Sequence, residues 1–303
     1  MENYTKLKAQ VNSNLEKYLV DTHEKNEFKQ MIQDSVYNGK RLRPCILLDI
    51  GHSINTINEE IYNIMSVVVE ILHSCSLIID DLPCMDNDVE RRGKPTIHYK
   101  YGETCANILC IHMLTEGYNQ LYSGLIKLSK SIDKKESNIR SKLIMSTIAD
   151  NIGILGAAMG QYLDTCPLYH FIDNSDYKQY FKQSSGFETL IHKKTTTFFE
   201  ISFVIGYLVA GGDIDQLDKV KQASKYFGLA FQISDDFEDQ DEDKARINHE
   251  DDLHSNYVNN FGNIHSKKMF NDSIDKCKEF MSELGIWSPF FEEICEYIGK
   301  RVK

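Results

Sequence analysis

The chain carries Ser76-Leu77-Ile78-Ile79-Asp80-Asp81-Leu82-Pro83-Cys84-Met85-Asp86 and, much later, Ala230-Phe231-Gln232-Ile233-Ser234-Asp235-Asp236-Phe237-Glu238-Asp239. In each, an apolar stretch runs into crowded aspartates. Carboxylates this close repel one another and resist burial unless something neutralises them. Hard divalent cations that prefer oxygen, such as Mg²⁺, are the natural counter-charge. Mg²⁺ is usually held by one or two carboxylates plus substrate phosphates, not by an all-protein cage. Two such clusters on one chain point to a pocket that holds a polyphosphorylated substrate through several metal ions.

Length and composition frame this reading. The chain has 303 residues, 42% of them apolar and 26% charged, which is ample for a sizeable core. The net charge of −11 argues against a nucleic-acid surface. It leaves a diphosphate substrate open, because bound metal inverts the local sign. Eight cysteines are scattered without zinc-ligand spacing, which favours reduced thiols in a cytoplasmic protein over a disulfide framework. The first residues lack the apolar core of a signal peptide, and no run of ~18 apolar residues predicts a membrane span.

Three- and four-residue apolar spacing dominates. It predicts helices over roughly 4–37, 41–53, 61–79, 103–129, 136–164, 176–192, 195–211, 214–238, 262–284 and 288–301. No segment shows sustained strand alternation. The charged run Asp239 to Asp252 is the expected mobile loop. A single all-α domain spanning 1–303 is the economical reading.

Gln232, Asp235, Asp236 and Asp239 stand at i, i+3, i+4 and i+7, hence on one helical face. An acidic stripe can be a solvated surface. The apolar Leu229, Phe231, Ile233 and Phe237 around it favour a face turned to a cavity. Asp239, Asp241, Asp243 and Glu250 match four calcium-loop positions, but Lys244 occupies the required glycine position. Asp80 and Asp86 are six apart and Pro83 disrupts a helix between them, so a local bulge is needed to bring Asp86 round. Arg91 and Arg92 follow, as a surface charge mixture or as phosphate clamps. Gly39-Lys40-Arg41-Leu42-Arg43-Pro44 is a second basic element, at a helix start that suits an anion. His73 is by default a hydrogen-bonded core histidine, yet it lies on a face similar to that of Asp80. Gly153, Gly156 and Gly160 share roughly one face, through close helix packing or to leave room for a ligand.

These elements, in this order, resemble the trans-prenyltransferases, the isoprenyl diphosphate synthases, over about 35–300. The resemblance rests on Gly39–Pro44; Glu70, His73 and the first aspartate cluster; Arg91-Arg92-Gly93-Lys94-Pro95-Thr96; Gly160-Gln161-Tyr162-Leu163-Asp164; Lys194-Thr195; and the second cluster. It implies a polyprenyl synthase domain, a single all-α isoprenoid-synthase bundle around a central cavity, acting as a homodimer. The implied reaction joins isopentenyl diphosphate head to tail to an allylic diphosphate (dimethylallyl, geranyl or farnesyl). It depends on Mg²⁺, three ions per site, with Mn²⁺ able to substitute. Asp80, Asp86 and Asp235 would be the leading metal ligands, and Asp81, Asp236 and Asp239 further ones. Lys40, Arg43, His73 and Arg92 would hold isopentenyl diphosphate. Arg91, Lys194, Thr195 and Gln232 would hold the allylic diphosphate, with Lys194 counted among the catalytic groups.

The two extra residues inside the first cluster are similar to those of geranylgeranyl diphosphate synthases. In this family the growing tail runs down the helix that carries the first cluster. Cys75 and Ser76, one turn below Asp80, are small, so no aromatic floor stops growth at farnesyl diphosphate. The expected product is geranylgeranyl diphosphate, with a floor deeper, near Met113 or Tyr118. Three departures from the family pattern stand out: Thr196-Thr197 for Gly-Ala, Cys110-Ile111-His112 for a Gly-Asp, and an acidic Asn248-His249-Glu250-Asp251-Asp252 for a basic loop. A terpene synthase would mix Asn, Ser or Thr into the second cluster. A non-catalytic partner subunit of a heteromeric synthase would not need both clusters intact.

Overall fold

The computed structural model describes residues 1–21, 26–54, 59–165, 184–245 and 256–302. Its contacts divide the chain into two compact units. One comprises Glu2–Leu143 and Ile205–Gly212; the other comprises Ile144–Val204 and Asp213–Lys303, with Met1. Apart from one small hairpin, the regular structure of the described residues is helical, as the apolar spacing predicts.

The first unit contains α1 (Glu2–Leu15), α2 (Glu27–Ser35), α3 (Leu42–Ile54), α4 (Glu59–Asp80), α5 (Ile97–Tyr101) and α6 (Glu103–Ser131). Helix α4 begins with Glu59 and Glu60, acids that suit the positive end of a helix. Most of its side chains are buried, from Ile61 to Ile78, because α3 and α6 pack against it. A Cβ on Gly124 of α6 would come within 2.6 Å of the Met65 terminal methyl, so the glycine leaves room for that side chain between the two helices. Polar side chains pin α1 to α4: Asn14 Nδ2 donates to Asn63 Oδ1 at 2.8 Å and to Ser66 Oγ at 3.2 Å.

Helix α7 (Lys134–Ile152) follows, and α8 (Ala157–Thr165) lies in the second unit. That unit continues with α9 (Ser184–Ile191) and a π-helical turn at His192–Thr196. Helix α10 (Thr197–Val209) is followed by α11 (Leu217–Glu238), α12 (Gln240–Ala245), α13 (Tyr257–Phe261), α14 (Asn263–Glu283) and α15 (Pro289–Gly299). Ser288 caps α15 by accepting from Phe291 N, and Pro289 occupies the first turn, where its missing N–H costs nothing. The core of this unit is aromatic. Phe203 lies 5.8 Å from Phe227 and 5.6 Å from Phe291, and Phe199 lies 5.1 Å from both Phe227 and Phe231.

The expected boundaries shift in identifiable places. The helix expected over 4–37 stops at Leu15 and continues as a π-helical turn, Glu16–Val20, before α2. The helix expected over 136–164 breaks at 153–156, where a Cβ on Gly156 would collide with the Asn151 carbonyl. Gly153 and Gly156 therefore make a turn and do not share a helix face. A hairpin that alternation could not reveal pairs β1 (Glu90–Arg91) with β2 (Lys94–Pro95), since strands of two residues are too short to alternate. Of the helix expected over 176–192 the described part, 184–192, comprises α9 and the first residue of the π-helical turn. The first half of the expected mobile loop is instead helical, as α12, and its second half, 246–252, lies outside the described residues, as do Cys166 and Pro167. By length and mean hydropathy α4 and the stretch Lys134–Leu163 could cross a bilayer, although polar and charged residues interrupt both and neither is a run of ~18 apolar residues. The qualifying window of α4 is 78% buried, as in a core helix, and that of Lys134–Leu163 is 33% buried.

Phe203, wholly buried among these rings, should be the most costly truncation in the second unit. Phe203→Ala is expected to lower unfolding free energy by about 3–5 kcal/mol, read by urea denaturation, because the packed cluster cannot collapse into the space.

Candidate functional site

The basic element precedes α3. Arg41 has a positive φ of 59°, an uncommon and costly conformation for a side chain of this size. Its buried guanidinium donates to Glu70 Oε1 at 2.5 Å, to Asn12 Oδ1 at 2.9 Å and to the Val36 carbonyl. Two residues on, Arg43 Nη1 lies 3.3 Å from His73 Nε2. Lys40 is exposed, and its carbonyl accepts from the Tyr4 hydroxyl.

Arg92 and Gly93 form the two-residue turn between β1 and β2, both with positive φ (56° and 78°). Such turns favour Asn-Gly or Gly-Gly, so an arginine at the first position carries strain. A Cβ on Gly39 would lie 2.1 Å from Arg41 Nη1 and 2.9 Å from Arg92 Nη1, so the bare Gly39 backbone lets both guanidiniums close in. Burial first, then the charges of Arg43, Arg92, Arg91 and Arg41, hold the His73 imidazole well below its ordinary pKa. His73 is therefore neutral at pH 7. The side chains around it make a cluster of positive charge that suits a polyanion, with Glu70 balancing Arg41.

At the end of α4 the chain turns back at Pro83. Asp86 N donates to the Asp80 carbonyl at 2.9 Å, and Asn87 N to the Leu82 carbonyl at 3.1 Å. The loop supplies the bulge that Asp86 needs to return towards Asp80. Asp81 is buried and accepts from Arg91 Nε at 2.6 Å. Burial pushes its carboxyl up to about 6 although Arg91 opposes the shift. Arg91 Nη2 also reaches Asp88 at 3.3 Å. Asp80 and Asp86 retain solvent access.

The second cluster ends α11. Asp236 is buried: it accepts from Tyr257 N and from Gln232 Nε2, both at 2.7 Å. Burial pushes its carboxyl up to about 7. The four-residue stripe thus splits, with Asp236 turned inward and Asp235 and Asp239 outward, because the start of α13 claims Asp236. Thr195 Oγ1 donates to Gln232 Oε1 at 2.7 Å, so one amide joins Thr195 to Asp236. Asn256, also buried, donates to the Asp236 carbonyl and to Asp243 Oδ2, both at 2.8 Å.

Lys194 lies in the π-helical turn, where a Cβ on Gly160 would come within 2.7 Å of its backbone N; close packing explains this glycine. Thr196 is buried against Gly228, whose missing side chain makes room for it. On α4, Cys75 is buried with its Sγ 3.6 Å from the Cys110 carbonyl of α6, and Ser76 Oγ bonds the His73 carbonyl at 2.9 Å. Met113 is buried and Tyr118 exposed, so of the two deeper candidates only Met113 belongs to the core of its unit.

The outer carboxylates Asp80, Asp86, Asp235 and Asp239 offer oxygen donors alone, which fits Mg²⁺. Among the described residues no three His, Cys, Asp or Glu side chains converge as a ready-made cage. An ion that takes most of its ligands from phosphate and water needs none. Sequence reasoning assigned no role to Arg301, whose guanidinium meets Asp235 and Glu238, or to Asn256. Neither carries a spacing signal. Glu70 was recognisable as an acid on an apolar helix, which demands a buried cation.

Comparison with known proteins accords with this geometry. The polyprenyl synthetase family model matches residues 25–285. The trans-prenyltransferase of African swine fever virus (isolate Pig/Kenya/KEN-50/1950) is 24% identical over 98% of this chain and 83% of its own length. The geranylgeranyl diphosphate synthase of Pantoea ananas is 30% identical over 77% of this chain and 71% of its own. The crystal structure of a geranyltransferase from Legionella pneumophila superposes with a TM-score of 0.76 at 21% identity, over 98% of this chain and 96% of that one, a likeness that shows the fold. With a family model matching most of its length and helices laid out as in that structure, the chain belongs to the polyprenyl synthetase family and is a prenyltransferase.

Proposed function

We propose that this prenyltransferase joins isopentenyl diphosphate head to tail to an allylic diphosphate, with Mg²⁺, and that its main product is geranylgeranyl diphosphate. The observation that carries this reading is the layout of α4. One end presents Asp80, and two turns earlier the same helix presents His73 among Arg41, Arg43 and Arg92. A carboxylate end suits a metal-held diphosphate, and a guanidinium cluster suits one held directly. The Pantoea ananas relative is a geranylgeranyl diphosphate synthase.

In this mechanism Lys40, Arg43, His73 and Arg92 hold isopentenyl diphosphate, and Arg91, Lys194, Thr195 and Gln232 hold the allylic diphosphate. Asp80, Asp86 and Asp235 would be the leading ligands of three Mg²⁺ ions, with Asp81, Asp236 and Asp239 in supporting positions. Ions held there would draw charge from the leaving diphosphate. Neutral His73 orients Arg43 by its ring nitrogen. Buried Asp81 and Asp236 fix Arg91 and Gln232 in place. Positioning and exclusion of water are the tasks of these side chains, because water would quench an allylic cation. The whole chain acts as one catalytic domain in the cytoplasm.

Purified protein given labelled isopentenyl diphosphate, Mg²⁺ and each allylic primer should extend the primer, lose activity with a chelator and regain it with Mg²⁺ or Mn²⁺. Asp80→Ala and Asp235→Ala should each lower turnover by roughly 10²–10³-fold with the melting temperature kept. Undiminished turnover in either would sink the metal assignment.

Product length has its own test. Cys75 and Ser76 are small side chains one turn before Asp80 on α4. Ser76→Phe and Cys75→Tyr should shift the products towards farnesyl diphosphate, with melting curves to show that Cys75→Tyr still folds despite its crowded seam. A wild type that stops at farnesyl diphosphate, or unchanged products from both folded variants, overturns the reading.

A homodimer formed through α6 completes the proposal. Ile108, Ile111, Tyr118 and Tyr122 form an exposed apolar stripe along that helix, at spacings of three, seven and four. Light scattering should report a dimer for the wild type and a monomer for Ile111→Asp/Tyr122→Asp.

A further inference from the structure

Arg301, in the turn after α15, is not used by the proposed mechanism, yet it occupies the second aspartate cluster. Its Nη1 meets Asp235 Oδ1 and lies 2.9 Å from Glu238 Oε2. Its Nη2 donates to the Tyr297 hydroxyl at 3.1 Å, and the guanidinium carbon stands 5.0 Å from the centre of that ring. The side chain is only 11% exposed, against 26% for Asp235. Its placement is built in: Ser234, the residue before Asp235, donates through Oγ to the Ile298 carbonyl at 2.8 Å, and Arg301 N closes back on the same carbonyl at 3.3 Å. The two elements are therefore tied at the point where Arg301 reaches across.

We infer that Arg301 is the resident cation of the second aspartate cluster. It offsets part of the negative charge of Asp235 and Glu238 when no metal is bound, and it must yield Asp235 before a divalent ion can coordinate that carboxylate. Two positive charges cannot share one side-chain oxygen face without repulsion, so Arg301 and the metal compete. Arg301 thereby sets the metal affinity of the cluster and keeps Asp235 in one orientation until the metal and its diphosphate arrive together. The inference rests on the reading of Asp235 as a metal ligand.

The test is Mn²⁺ binding, followed by electron paramagnetic resonance and calorimetry, on the full chain with inorganic diphosphate present and no turnover. Arg301→Gln should bind Mn²⁺ roughly fivefold more tightly than wild type, the scale set by losing a partly exposed ion pair. Arg301→Lys, which keeps the charge, should fall between them. Asp235→Asn should bind Mn²⁺ more weakly, and Arg301→Gln should no longer tighten binding in that background. Unchanged or weaker binding by folded Arg301→Gln, with Asp235→Asn weakened, overturns the competition while leaving Asp235 a ligand. Wild-type binding by Asp235→Asn, or no Mn²⁺ binding by wild type, overturns both.

Discussion

The organising constraint in this protein is that a carboxylate withdrawn from water must be met by a cation or by aimed N–H groups. Glu70, in the middle of the core helix α4, is met by Arg41. Asp81 is met by Arg91, Asp235 by Arg301, and Asp236 by Tyr257 N and the Gln232 amide. Each aspartate cluster thereby divides. One carboxylate turns inward and ties the surrounding chain together, while its neighbours keep their oxygens outward. Crowded acids at a helix end are stable as a site because the inner member is already balanced by the protein.

Strain accompanies this arrangement. The non-glycine residues with positive φ among the described residues are Asn38, Arg41, Asn87 and Arg92. All four flank the basic cluster or the loop that returns Asp86. Each such conformation costs on the order of 1–3 kcal/mol and persists only where surrounding contacts over-determine it. Arg41 is held by Glu70, Asn12 and the Val36 carbonyl; Arg92 is held by the hairpin. Burial, then the charges of Arg43, Arg92, Arg91 and Arg41, keeps His73 neutral, so its ring nitrogen lies 3.3 Å from Arg43 without adding charge.

Two departures from the family pattern find a local physical account. Thr196 stands where the family has glycine, and Gly228 on α11 gives up the side chain that would otherwise collide with it. Cys110 faces Cys75 across the α4–α6 seam, so both sides of that seam are small. The third departure, over 248–252, lies outside the described residues.

The sequence by itself determined the helical class, the two aspartate clusters, and the identity of the basic residues, because all of these are local. Periodicity places α3, α4, α6, α11, α14 and α15 within a few residues, and the resemblance to prenyltransferases needs only the order of short motifs. The sequence could not say which member of a cluster turns inward. Gln232, Asp235, Asp236 and Asp239 share a face by spacing alone, and the burial of Asp236 follows from Tyr257, twenty-one residues further along the chain. Arg301 meets Asp235 across sixty-six residues, and Arg41 meets Glu70 across twenty-nine. Such pairings are decided by packing between elements distant in the chain, and no local pattern encodes them. Tertiary structure therefore decided how the site's charges are balanced, because only the folded chain removes some of them from water and so forces each to find a partner.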